Sequence, residues 1–284
     1  MTETAMTETA MGETAMGETA MGETAMGETA MGETAMGETA MGETAMGETA
    51  MGETAMSETR SVVAVLDKGY LALDAALASD LAVVNAARVS FNQGSDEMGE
   101  RDAGLVRFLM RENHGSPFEH GYFRFVVKAP IFVVREHHRH RAGHSYNEWS
   151  GRYSKLEAEF YVPDYVRAQI GKPGAYRFEA VAPDLREEAQ TEIRSVAEAA
   201  FEAYERLLAK GVAKEVARTV LPLSMYTKYY WSCNPRSLMH FCGLRNSDQA
   251  QFEIREYARA AESFLQALMP VTHAAFVANG RRAP

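Results

Sequence analysis

Arg135-Glu-His-His-Arg-His-Arg-Ala-Gly-His-Ser-Tyr-Asn-Glu-Trp-Ser-Gly-Arg-Tyr153 is the densest chemistry in the chain. Four of the eight histidines lie between His137 and His144, accompanied by Arg135, Arg139, Arg141 and Arg152. The run Ile131-Phe-Val-Val134 stands immediately before it. An apolar run that ends in cations predicts a helix docked in a core and aiming charge at something. Three readings compete. A metal site would use His137, His140 and His144 at spacings of three and four, but the arginines repel a dication and no cysteine or aspartate offsets them. A solvated helix end would suit the helix dipole, yet needs no neighbouring Asn-Glu or Gly-Arg-Tyr. A site for a phosphorylated ligand uses all of these groups: arginine forks match phosphate oxygens, and Ser145, Ser150 and the Gly151 backbone add neutral donors.

Nucleic acid is one polyanion that Tyr146, Trp149 and Tyr153 could stack against. Charge argues for something smaller. Residues 1–55 are eleven copies of a pentad, two Met-Thr-Glu-Thr-Ala and nine Met-Gly-Glu-Thr-Ala, with a degraded copy at Met56 to Arg60. Twelve glutamates and one arginine give residues 1–60 a net charge of −11. The whole chain carries −10, so residues 61–284 sum to +1. A nearly neutral domain with one basic cluster is a poor electrostatic footprint for a long polymer. A nucleotide or phosphorylated cofactor fits better, although no Gly-x-Gly-x-x-Gly or Gly-Lys-Ser/Thr phosphate loop is present.

The pentad has no large apolar residue except methionine, and its period of five suits neither helix nor strand. It is expected to be disordered and to take no part in the chemistry, whether as a repeat expansion, a stretch read from a wrongly chosen upstream start codon, or an acidic interaction tail. Residues 61–284 are expected to form a single catalytic domain. Cys233 and Cys242 make neither a disulfide framework nor a zinc spacing, which fits a reducing compartment. No apolar run reaches the roughly 20 residues of a membrane span. A cytoplasmic protein is expected.

Within that domain, strands are predicted at Ser61 to Asp67, Tyr122 to Val127, Glu159 to Val162 and Tyr226 to Cys233. Helices are predicted at Asp80 to Val89, Arg101 to Arg111, from Pro130 into the arginine cluster, Glu187 to Lys210, Val212 to Val220, Asn234 to Leu244 and Asp248 to Leu268. Arg101 to Arg111 would face inward with Leu105, Val106, Phe108, Leu109 and Met110. The class is α+β, with a mainly antiparallel sheet packed with helices.

Arg139-His140-Arg141, eight residues, then Ser150-Gly-Arg-Tyr153 resembles the signature of the flavin-dependent thymidylate synthases. Eight blocks follow the family's order: Asn-Ala-Ala-Arg-Val-Ser-Phe (85–91), His114-Gly-Ser-Pro-Phe-Glu-His120, Lys-Ala-Pro-Ile-Phe-Val (128–133), Ser-Gly-Arg-Tyr-Ser-Lys-Leu (150–156), Ala-Arg-Thr-Val-Leu-Pro-Leu (217–223), Asn-Pro-Arg-Ser-Leu-Met (234–239), Leu-Arg (244–245) and Ala-Gln-Phe-Glu-Ile-Arg (250–255). The resemblance implies a homotetramer with sites between subunits. It implies reductive methylation of dUMP to dTMP, with methylenetetrahydrofolate as carbon donor, NADPH as reductant and bound FAD between them. No metal, membrane or obligate nucleic acid is implied.

Residue by residue, it implies FAD contacts at Ser116, Arg139, His140, Arg141, Glu148, Asn234, Arg236 and His240, with Glu119 nearby. It implies dUMP contacts at Glu136, His137, His138, Arg139, Glu148, Trp149, Ser150, Gly151, Arg152, Arg218 and Arg245. Arg245 would be catalytic, because a fixed cation beside a ring N–H lowers its pKa and stabilises developing negative charge. Glu136 departs from the glutamine common at its position, and a carboxylate cannot donate as an amide does.

Overall fold

The computed structural model describes residues 61–284. The expectation for the pentad repeat lies outside the described residues. The elements in order are β1 (Val62–Val65), β2 (Gly69–Leu77), α1 (Asp80–Arg88), α2 (Glu100–Arg111), β3 (Tyr122–Pro130), α3 (Ile131–His137) and β4 (His144–Glu148). There follow β5 (Arg167–Ile170), β6 (Arg177–Ala180), α4 (Pro183–Ala209), α5 (Lys214–Ala217), β7 (Tyr226–Cys233), α6 (Pro235–Arg245), α7 (Phe252–Leu268) and α8 (Pro270–Ala278). Five strands form one antiparallel sheet in the order β1-β2-β3-β7-β4, and β5 and β6 form a separate hairpin. The class is α+β, as expected.

Alternation decides which face of the sheet is buried. Phe123, Phe125 and Val127 on β3, with Tyr229, Trp231 and Cys233 on β7, point into the core. Tyr122 and Arg124, with Lys228 and Tyr230, point the other way and stay exposed. Helix α7 covers the apolar face with Ile254, Tyr257, Ala258, Ala261 and Leu265. Each large side chain buried in this way stabilises the fold by roughly 1.5–3 kcal/mol. Tilted ring contacts add to it where Phe125 meets Trp231 at 4.9 Å and Phe264 at 5.6 Å.

Two caps set the helices that matter for the site. Asn234 accepts from the Ser237 amide at 2.8 Å, and Pro235 opens α6. The sequence predicted both. Buried Asp80, at the start of α1, accepts from the Val271 and Thr272 amides at 2.9 and 2.8 Å and so caps α8. That long-range cap carries no local signal.

The structure corrects several expectations. Pro130 ends β3 and caps α3 rather than opening its first turn. Helix α3 stops at His137, so Arg139 to Arg141 follow the helix in a turn. Glu159 to Val162 contributes only the bridge Phe160–Met225. Phe108 is exposed on α2 and Leu105 is half-buried, which leaves Val106, Leu109 and Met110 as its core face. Strands β2, β4, β5 and β6 and helix α8 were not foreseen.

Candidate active site

The turn after α3 is held at several atoms. His140 N donates to the His137 carbonyl at 3.0 Å. The Tyr146 hydroxyl, on β4, lies 3.1 Å from the same carbonyl and 2.8 Å from that of His140. Arg245, the last residue of α6, approaches from the other side. Its Nε donates to His140 Nε2 at 2.9 Å, one terminal nitrogen to Glu136 Oε2 at 3.1 Å, and the other to the Glu136 carbonyl at 3.3 Å. A guanidinium has five N–H groups, so two remain for a ligand. Arg245 borders a cavity of about 590 Å³ that is also lined by Phe132, Arg135, Glu136, Arg139 and Leu223.

Burial tunes the site. It pushes the Glu136 carboxyl up, Arg245 opposes the shift and Glu253 adds to it. Burial, with Arg245, His144 and His240 nearby, brings His140 down to about 4. Burial and His240 bring His144 down to about 4, and burial first holds His137 well below its ordinary value. A neutral His140 can accept from Arg245, whereas an imidazolium could not. These imidazoles resist protonation when folded, so the unfolded chain binds more protons below about pH 6.5. Stability is therefore expected to decline as pH falls from there towards 4. Urea unfolding at pH 7 and pH 5 measures this; equal midpoints would mean that the rings protonate without disturbing the fold.

The structure divides the predicted residues into groups. Arg139, His140 and Arg245, with Glu136, meet around the first cavity. Asn234, Arg236 and His240 line a second cavity of about 670 Å³, together with Gly143, Ser237 and Glu119. Arg236 pairs there with Glu119 and with the Pro284 carbonyl. Ser116 is exposed on the adjoining turn. Gly143 has a φ of 71°, and a Cβ there would collide with Ser237 Oγ, so the backbone is needed bare.

Ser150, Gly151, Arg152 and Arg218 form a third group. Arg152 pairs with Glu215 at 3.1 Å, and Lys214 donates to the Tyr153 carbonyl at 2.9 Å, which seats this loop on α5 beside Arg218. The Arg152–Glu215 pair is over half exposed on both sides and is worth little. Trp149 is half-buried, and Glu148 accepts from the Thr227 hydroxyl at 2.8 Å.

His137 departs from the sequence reading. The His137 ring is 2 % exposed, bonded to the Tyr229 hydroxyl at 2.7 Å and packed on Trp231 at 4.3 Å. It belongs to the core, and its side chain cannot reach a ligand. His138 packs against Tyr146 at 4.4 Å and Tyr229 at 5.3 Å. Tyr146, which sequence reasoning offered only as a stacking ring, is the residue it undervalued; no local pattern marks which carbonyl a hydroxyl will reach.

Arg135, Arg139, Arg141 and Arg218 are exposed and have no carboxylate partner among the described residues. Among the described residues there is no group of three or more His, Cys, Asp or Glu able to hold a metal ion. Cys233 and Cys242 are buried, and burial pushes both thiols well up, so neither offers a thiolate nucleophile. No helix among the described residues is long and apolar enough to cross a membrane.

Exposed guanidiniums without carboxylate partners among the described residues, imidazoles that burial keeps neutral and two cavities with polar linings give these residues the chemistry to hold anionic ligands. The family model described as thymidylate synthase complementing protein matches residues 73–271. A flavin-dependent thymidylate synthase of Streptomyces coelicolor is 48% identical over 221 residues, covering 73% of this chain and 90% of that protein. One from Thermus thermophilus is 47% identical over 214 residues, covering 75% and 77%. A crystal structure of the UMP/dUMP methylase PolB from Streptomyces cacaoi, bound with 5-Br dUMP, superposes with a TM-score of 0.71 at 45% identity, covering 78% of this chain and all of that one. The chain belongs to the flavin-dependent thymidylate synthase family.

Proposed function

We propose that this enzyme methylates dUMP to dTMP, taking the carbon from methylenetetrahydrofolate and the reducing equivalents from NADPH through bound FAD. The observation that carries this reading is Arg245, fixed by Glu136 and His140 with two N–H groups unused, at a cavity rimmed by Arg135 and Arg139, which have no carboxylate partner among the described residues. The chemistry of the second cavity fits a flavin. Asn234, Ser237 and His240 offer polar partners for a heterocycle edge, and Arg236 offers a cation that a diphosphate could take over from Glu119. FAD, when bound, would supply hydride to the transferred carbon.

The chain's own residues bind, orient and polarise. Arg139 and Arg141, flanking His140, would hold the flavin, and Arg139 would also reach dUMP. Ser150, the Gly151 amide and Arg152 would take the nucleotide phosphate with Arg218, exchanging the exposed Glu215 pair for a stronger one. Glu148 and Trp149 would border the same nucleotide. Arg245 would stabilise negative charge on the uracil ring as its N–H loses proton character. A homotetramer whose sites are completed by neighbouring subunits, as the family resemblance implies, is part of the same proposal.

The test is an absorption spectrum of the purified protein, followed by anaerobic NADPH with dUMP. Flavin bands that bleach, and dTMP formed on adding methylenetetrahydrofolate, are the expected result. A colourless protein that takes up no added FAD would overturn the proposal.

A further inference from the structure

Helix α3 ends at His137 and leaves its last carbonyls without intrahelical donors. One of them, that of Glu136, is taken by Arg245. The His137 carbonyl and, past the helix end, that of His140 both lie at the Tyr146 hydroxyl, at 3.1 and 2.8 Å. A phenol has one proton, so the two carbonyls share it, and the shorter contact favours His140. The His137 carbonyl also receives the His140 amide. Nothing else among the described residues donates to the His140 carbonyl.

Tyr146 is itself held firmly. Strand β4 places it opposite Trp231 on β7. Its ring packs on His138 at 4.4 Å and edge-on to His137 at 5.4 Å, and lies parallel to His144 at 6.2 Å. The His144 ring is in turn fixed by the Trp231 indole, which donates to its Nδ1 at 2.9 Å. His140 is thus pinned at two ends, its carbonyl by Tyr146 and its Nε2 by Arg245. Arg139 and Arg141 are the residues on either side of it, so their placement depends on this one backbone position.

We propose that Tyr146 is a positioning residue for the reaction, its hydroxyl fixing the His140 carbonyl and thereby the orientation of Arg245 and of the two flanking arginines. This rests on the function proposed above, in which those arginines hold nucleotide and flavin. Tyr146 touches no ligand in this role. It acts through His140.

Tyr146→Phe deletes the donor and keeps the ring. Tyr257→Phe is the matched control, because the Tyr257 hydroxyl also donates to a backbone carbonyl in a part-buried setting, that of Lys128, at 2.6 Å. Both variants lose one phenol-to-carbonyl bond and should melt below the parent by similar amounts. Tyr146→Phe alone is expected to lose about ten-fold in kcat or in flavin affinity, the size of one misplaced charged contact. A double variant with Arg245→Lys should show less than the product of the two single losses, since both act through His140.

Tyr146→Phe with kcat and flavin affinity within two-fold of the parent overturns the proposal. So do losses equal to those of Tyr257→Phe, fully multiplicative losses with Arg245→Lys, or a Tyr146→Phe protein that fails to fold where Tyr257→Phe folds. The parent protein, assayed alongside for flavin and dTMP, separates these outcomes from failure of the proposed function itself.

Discussion

Arg245→Ala should cut kcat/KM for dTMP formation by on the order of a hundred- to a thousand-fold, the usual cost of removing a preorganised donor from developing negative charge. Flavin should stay bound, because the cavity lined by Asn234, Arg236 and His240 does not include Arg245 and the Tyr146 hydroxyl still holds the His140 carbonyl. Flavin absorbance and turnover, measured on one preparation, check both halves. The substitution would also leave the half-buried Glu136 without its ion-pair partner and His140 Nε2 without a donor. If flavin were lost together with activity, Arg245 would be a strut between α3 and α6, and the assignment of charge stabilisation would fall. Arg245→Lys should recover little, since an ammonium on a single atom cannot span His140, the Glu136 carboxylate and the Glu136 carbonyl as the fork does.

The largest effect on stability is expected at Glu253. This carboxylate is 3 % exposed, near the start of α7, and takes both terminal nitrogens of Arg167 at 2.9 Å. Gln251 donates to it at 2.8 Å and the Tyr161 hydroxyl at 3.1 Å. Burial alone would raise its pKa, but the hydrogen bonds from Arg167 and Gln251 outweigh burial and hold it below the ordinary value. Glu253→Ala strands Arg167 among Tyr165, Phe178 and Phe252. The expected cost is about 3–5 kcal/mol, the range for breaking a buried pair from one side. For a domain of this size that lowers Tm by roughly 10 °C. Because the folded pKa is depressed, the contribution is present at neutral pH and is lost as pH falls through that folded value. The melting gap between parent and variant should therefore narrow in acid. A gap of under about 1 kcal/mol at neutral pH would mean that the ion pair is offset by its own desolvation.

The sequence carried the strands and helices that have a strong period. β3 and β7 alternate apolar and polar residues because one face of the sheet is covered and the other is wet. Helix α6 announces itself through Asn234 and Pro235. The elements that went unseen lack such a signal. β2 reads Gly-Tyr-Leu-Ala-Leu-Asp-Ala-Ala-Leu, an alanine-rich composition that suits a helix, and only pairing with β1 and β3 makes it a strand. β4 is polar because it is an edge strand, and β6 is exposed throughout. At the site, the motif gave the arginines but not their partners. Arg245 and His140 stand 105 residues apart, and only tertiary packing reveals that one imidazole accepts from the other's guanidinium. The same packing removes His137 from the ligand surface, although sequence places it two residues from Arg139.

The position of β3 in the sheet has a consequence during synthesis. β3 lies between β2 and β7, yet β7 emerges from the ribosome about a hundred residues later, after α4 and α5. Until then β3 is an unpaired edge displaying Tyr-Phe-Arg-Phe-Val-Val, with Phe123 and Phe125 uncovered by α7. A nascent chain of this enzyme thus presents a sticky strand for several seconds at ordinary elongation rates. Its yield in a cell should track holdase chaperone supply more closely than the stability of the finished fold.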